Sequence, residues 1–205
     1  MSLLLELPQW IHDAPNGLGR LVVAPDSLFV YGSLTFPQVL TAVLGRVPTS
    51  RLAHAHGWRA AALLDRPFPA LMPAPGATWG ARIVGLSDDE WRIMNAFEGP
   101  GYDLAAIELC ALGSSWTYRY DDTKHHWQVA TSDWDRAHFA RHELAAYQDR
   151  CTAWRARYDS GDSREDLVRR FGTVSGSPSR SAGQSTGGSE LTSANVPAYR
   201  PGDLN

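Results

Sequence analysis

Residues 29–34 read Phe29-Val30-Tyr31-Gly32-Ser33-Leu34. Two apolar β-formers and a tyrosine run straight into Gly-Ser, and an apolar residue follows, so a strand stops where it should still be packing. Two readings fit. In the plain one, Gly32 and Ser33 end a strand and open a turn before Pro37. In the other, Gly32 lets the backbone come close to a ligand, with the amides of Gly32, Ser33 and Leu34 turned outward as anion donors. No Gly-Lys-Ser/Thr follows, so the stretch is not a P-loop.

Working outward, residues 1–26 read as an arm. "MSLLLELPQW" is apolar but short, lacks a basic start and carries Glu6, unlike a signal peptide, and the "DAPNGLGR" that follows is turn-rich. After the first strand, "PQVLTAVLG" places Val39, Leu40, Val43 and Leu44 at helical spacing between Pro37 and Gly45. "HAHGWRAAALL" predicts a strand pair or one bent strand, and "TWGARIVGL" a further strand. In "SDDEWRIMNAF", Ser87 caps a helix whose first turn holds Asp88, Asp89 and Glu90, where the dipole favours acids. "YDLAAIELCAL" and "SSWTYRY" predict an antiparallel pair. From Ser132 to Tyr158 the spacing of Trp134, Phe139, Leu144, Tyr147, Cys151 and Trp154 predicts an amphipathic helix.

Beyond Gly172 the chain turns Ser/Gly-rich ("TVSGSPSRSAGQSTGGSE"), a composition that buries too little apolar surface to order itself. The expected organisation is an arm over 1–26, a domain over 27–158 and a flexible tail over 173–205. No regular strand–helix–strand alternation occurs, which speaks against a doubly wound nucleotide fold. The expected class is α+β: a small curled sheet or mixed β-barrel with flanking helices and a C-terminal helical layer.

Composition narrows the function classes. With 43% hydrophobic and 20% charged residues the chain reads as globular and soluble. A net charge of -3 argues against a nucleic-acid surface, and no stretch approaches the ~18 apolar residues of a membrane span. Cys110 and Cys151 are the only cysteines, too few for a four-cysteine zinc site, and a reducing cytoplasmic setting is expected.

The second informative stretch is "NAFEGPGYDL", residues 95–104. Glu98 closes the predicted helix, and Gly99-Pro100-Gly101 breaks the chain behind it. The negative end of a helix dipole repels an acid, and a locally wrong residue of this kind marks functional sites. Apolar neighbours Ala96 and Phe97 would raise its pKa toward the range useful for proton transfer. The plain alternative is an exposed loop glutamate.

Taken in order, "FVYGSL", "FPALMPAPGATWGARIVGLS" and "FEGPGY" resemble the γ-glutamylcyclotransferase-like superfamily, and in particular its avirulence-induced-gene-like branch. The likeness covers about residues 27–120. It implies a small mixed β-barrel with flanking helices and a cavity between the loop and the glutamate. Carried over by position, Tyr31, Gly32, Ser33 and Leu34 bind substrate, Glu98 is the catalytic acid/base, and Tyr102 lines the cavity. The implied reaction closes a γ-glutamyl amine, peptide or thioester, free or carrier-bound, to 5-oxoproline without a cofactor. Where many members carry Leu-Asp before the aromatic-Glu pair and Arg after the tyrosine, this chain has Met94-Asn95 and Asp103-Leu104. Those departures leave a second reading open, a binding or regulatory module that keeps the cavity without turnover.

Other clusters read more plainly. His138 and His142 stand at i, i+4 beside Glu143, but without a third ligand they read as a solvated helix face. His54 and His56 share a strand face and lack a partner set. His125-His126 reads as a polar turn, Cys110 as an inert buried thiol, and the eight tryptophans as packing. No metal site is expected.

Overall fold

The computed structural model describes residues 26–121 and 127–171; the N-terminal arm, the His125-His126 turn and the Ser/Gly-rich tail lie outside them. The centre of the molecule is β1 (Ser27–Val30), four residues long and buried throughout. It pairs antiparallel with β3 (Pro69–Val84), from Ser27↔Val84 to Val30↔Ala81. It pairs parallel with β5 (Gly113–Tyr120) through Leu28↔Trp116. A strand paired on both edges and covered on both faces must be apolar throughout, as "SLFV" nearly is. With β2 (Ser50–Leu63), β4 (Tyr102–Leu109) and β6 (Val129–Asp133), the sheet order is β4-β5-β1-β3-β2-β6.

The sheet curls into a half-barrel. The β2–β3 register slips between His56 and Trp58, where Gly57 sits at φ 78°, and such a bulge bends and twists the strand that carries it. Two hydrogen bonds then draw β4 across to strands it does not pair with. The Tyr102 hydroxyl donates to the Pro69 carbonyl at 2.9 Å. At the other end of β4, the Cys110 N–H donates to the His54 carbonyl at 2.9 Å.

Five α-helices occur among the described residues: α1 (Pro37–Leu44), α2 (Asp88–Glu98), α3 (Arg136–His142), α4 (Leu144–Asp159) and α5 (Arg164–Phe171). Alternate residues of β1 serve two cores. Leu28 and Val30 join Val39, Val43, Met94, Phe97, Phe139, Cys151, Trp154 and Leu167 under the helices, all buried. Phe29 packs with Ala53, Ala55, Leu71, Ile107 and Leu109 in a smaller cluster.

The first two helices stand where their end signals predict. α1 carries Pro at its start and ends at Gly45 in the left-handed conformation. α2 has a full capping box: Ser87 Oγ accepts from the Glu90 N–H, and Glu90 accepts from the Ser87 N–H. "HAHGWRAAALL" is one bent strand, and the antiparallel pair forms from Tyr102↔Tyr120 to Leu109↔Gly113. Three features differ from expectation. The helix expected over Ser132–Tyr158 is two helices parted at Glu143, its start lies in β6, and α5 adds a further layer through buried Leu167. β6 is a short edge strand whose side chains are mostly exposed, so it carries no apolar alternation to read.

Candidate active site

The first strand ends at Val30, and residues 33–35 then turn through a 3₁₀ helix closed by the Thr35 N–H on the Gly32 carbonyl at 2.9 Å. The N–H groups of Gly32, Ser33 and Leu34 come before that first internal bond, so no carbonyl of the turn takes them. Opposite them, α2 ends on Glu98. Gly99 adopts φ 69°, ψ −171°, a conformation open essentially to glycine, and the chain turns sharply into β4. A small cavity lies between these two chain ends. Its wall includes the 31–34 loop, Glu98 and the tyrosines 102, 118 and 147.

Glu98 keeps some of its surface open to the cavity while protein packs around the rest. This removal from water pushes its carboxyl up to about 8. The C-terminal end of α2 acts in the same direction, since its carbonyls disfavour a negative charge. Burial likewise holds Tyr31, Tyr102, Tyr118 and Tyr147 well above the usual tyrosine value, and in all four the field of Glu98 adds to the effect. Four neutral phenols therefore surround one carboxyl. Among the described residues lining the cavity there is no Lys, Arg or His.

Three of the four hydroxyls are committed as donors. Tyr31 donates to the Tyr118 carbonyl (2.8 Å), Tyr102 to the Pro69 carbonyl (2.9 Å) and Tyr118 to Asn95 Oδ1 (2.6 Å). Tyr147 instead accepts from Ser33 Oγ at 3.3 Å, which leaves its own proton to give. The first three phenols are held rigidly and shape the wall. Tyr147 is placed to donate into the cavity.

All six residues singled out from the sequence, Tyr31, Gly32, Ser33, Leu34, Glu98 and Tyr102, line this one cavity. The structure adds a second reason for Gly32. A Cβ at position 32 would stand 2.6 Å from Cδ and 2.7 Å from Cγ of Pro69, so the close approach that demands glycine is to the proline ring. Sequence reasoning misses Tyr118 and Tyr147. In the chain, Tyr147 is one more apolar position on an amphipathic helix, and only its polar tip distinguishes it from a core residue. Asn95, one of the departures from the family pattern, holds the Tyr118 hydroxyl. Leu104, the other, packs on the main core.

A second cluster lies elsewhere. His54, His56 and Cys110 bring their ligand atoms within 4.8 Å of one another. The pair of histidines thus has a partner, and Cys110 is half-buried rather than sealed in the core. Curling of the sheet joins positions 54 and 110, and no local spacing announces that. On α3, the rings of His138 and His142 lie 4.6 Å apart, tilted by 44°, without a third ligand among the described residues.

The half-barrel, the glycine loop and the enclosed acid define a class of small α+β proteins with one cavity facing a helix terminus. Residues 28–136 match the family described as gamma-glutamyl cyclotransferase, AIG2-like, and the chain belongs to that family. It is 35% identical over 89 residues to AIG2-like protein C of Arabidopsis thaliana, an alignment spanning 43% of this chain and 52% of that one. The chain spans about half the length of the first curated relatives it matches. Among solved structures, an Arabidopsis thaliana protein determined in solution aligns with a TM-score of 0.47 at 23% identity, covering 70% of this chain and 91% of that one. A gamma-glutamyl cyclotransferase aligns with a TM-score of 0.45 at 11% identity, covering 80% and 94%. Among the described residues, no helix is long and apolar enough to cross a membrane.

Proposed function

We propose that this protein is a γ-glutamylcyclotransferase that closes the glutamyl group of a γ-glutamyl amine, peptide or thioester to 5-oxoproline and releases the amine or thiol. One observation carries the reading: the carboxyl of Glu98, poised near 8, lines the same small cavity as residues 32–34. The substrate's α-ammonium has a reference pKa of about 8. Transfer of its proton to a carboxylate of matched pKa is close to energetically neutral, which suits a general base.

The step balances within one molecule. Glu98 takes a proton from the α-ammonium; the freed amine nitrogen attacks the γ-carbonyl carbon and forms the ring C–N bond. The carbonyl oxygen gains charge, the bond to the leaving amine or thiol breaks, and that group takes up the proton Glu98 holds. The ring nitrogen then loses its extra proton to Glu98, which passes it to solvent or to the released amine, and the carboxylate is restored. Nucleophile and electrophile belong to one substrate, so this chemistry calls on no cofactor, and holding the attacking conformer supplies several kcal/mol. With no cationic side chain among the described residues lining the cavity, the α-carboxylate or the developing oxyanion is held by amides of the 32–34 turn and the free proton of Tyr147.

The test is a screen of γ-glutamyl amines, dipeptides and thioesters for 5-oxoproline release, run on the parent and on Glu98→Gln. The parent should turn over at least one class. Glu98→Gln should lose about 10²–10⁴-fold in kcat while still binding the ligand. Full turnover by the variant removes Glu98 from the mechanism; no turnover by the parent, with binding intact, leaves a binding module in its place.

A further inference from the structure

We infer that His54, His56 and Cys110 form a zinc-binding clasp across the seam of the half-barrel, separate from the cavity. His54 and His56 are two apart on β2, so they share a face, opposite to Ala53 and Ala55, which are buried. At this level the free edge of β2 is met by the end of β4, through the Cys110 N–H on the His54 carbonyl at 2.9 Å. That backbone bond fixes the thiol beside the two rings, and all three ligand atoms come within 4.8 Å of one another. In a tetrahedral zinc site with one thiolate and two imidazoles, donor atoms stand about 3.3–3.6 Å apart. Rotation about side-chain bonds closes a gap of that size without moving the backbone.

The donor set chooses the ion. Two imidazoles and one thiolate suit Zn²⁺ and repel Mg²⁺ or Ca²⁺, which take oxygen ligands. His54 and Cys110 are half-buried and His56 is exposed, so the ion has a path of entry and its fourth position opens to water. The Trp79 ring lies 4.5 Å from that of His54 and covers part of it from solvent. His54 and His56 meet edge to face with ring centroids 5.2 Å apart.

The clasp has a structural consequence. β4 spans eight residues from Tyr102 at the cavity to Leu109 beside the clasp, about 23 Å of strand. Zinc would tie the β4–β5 hairpin to β2 at the end remote from Glu98 and stiffen the curl without entering the chemistry. Binding replaces the Cys110 S–H bond with an S–Zn bond and releases that proton to solvent, so affinity rises with pH.

The experiment titrates the full chain, purified without a histidine tag, with ZnCl₂ and separately with CoCl₂. One ion should bind per chain, and the cobalt adduct should show a thiolate-to-metal charge-transfer band. Zinc at a hundredfold excess over its Kd should raise Tm by at least about 5 °C. Cys110→Ser should abolish the band and weaken binding more than about tenfold, His54→Gln should weaken it likewise, and His138→Gln should do neither. Metal-free Tm measurements show whether each variant is folded, and Cys110→Ser alone suffices if His54→Gln is not. Failure to take up one ion, a cobalt adduct without the thiolate band, or undiminished binding by folded Cys110→Ser would each overturn the proposal.

Discussion

Gly32 shows how a residue's reason can differ from its neighbourhood. It lines the cavity, yet what forbids a side chain there is the Pro69 ring, 2.6 Å from where a Cβ would stand. A methyl and the ring cannot share that space without shifting the loop or the start of β3. Overpacking of this kind costs about 1–3 kcal/mol. We therefore predict that Gly32→Ala lowers stability by that amount and weakens any γ-glutamyl ligand, because the loop and the cavity wall move together. Denaturant titration checks the first effect and ligand titration the second. The cause is separable by a double-mutant cycle: Pro69→Ala should recover most of the stability lost by Gly32→Ala. If the two losses simply add, the proline contact is not what requires glycine. Gly80 obeys the same logic one strand over, where a Cβ would lie 2.1 Å from the Val30 carbonyl oxygen.

At the scale of elements, α2 is fixed at one end and functional at the other. Its first turn is held by the capping box and by Arg46, whose guanidinium donates to Glu90 Oε1 at 2.6 Å and Oε2 at 2.8 Å. The side-chain bond from Arg46 is the chief reason that the Glu90 carboxyl lies below the ordinary glutamate value. Glu90→Ala removes the box and the fork together, and we predict a loss of about 1–3 kcal/mol. A carboxyl of depressed pKa contributes stability above its unfolded value and loses it as pH falls through its folded one. The gap between parent and variant should thus narrow below about pH 4.5 in thermal melts. Both ends of α2 are legible in the amino-acid sequence, the start from Ser87 and three acids, the finish from an acid at the wrong pole. The wall that α4 contributes is not. Tyr147 has the spacing of a core residue, and only the fold reveals that its hydroxyl meets Ser33. Long-range closure is equally silent: nothing near Cys110 in the chain points to His54.

For the whole molecule, the same carboxyl that serves the chemistry should weaken the fold on the alkaline side. Glu98 is raised from 4.5 to about 8 because burial penalises its charge. A group whose folded pKa is raised contributes stability that is complete below its unfolded value and lost as pH rises through the folded one. The window therefore runs from about pH 4.5 to above pH 8, opposite in direction to that of Glu90. Partial access to the cavity's water limits the loss to the order of 2 kcal/mol, a fall of several degrees in Tm for a chain of this size. Glu98→Gln is the isosteric neutral form of the acid, so it should match the parent near pH 5 and exceed it near pH 9. Activity should run the other way. The parent's kcat/KM should rise through about pH 8 as Glu98 ionises, and that limb should be missing from any residual activity of the variant. Thermal melts of both proteins across this range, beside the pH–rate profile, measure one ionisation in two ways. Equal slopes of Tm against pH in parent and variant would show that Glu98 is solvated like any surface acid, and the pKa match on which the ring closure depends would go with it.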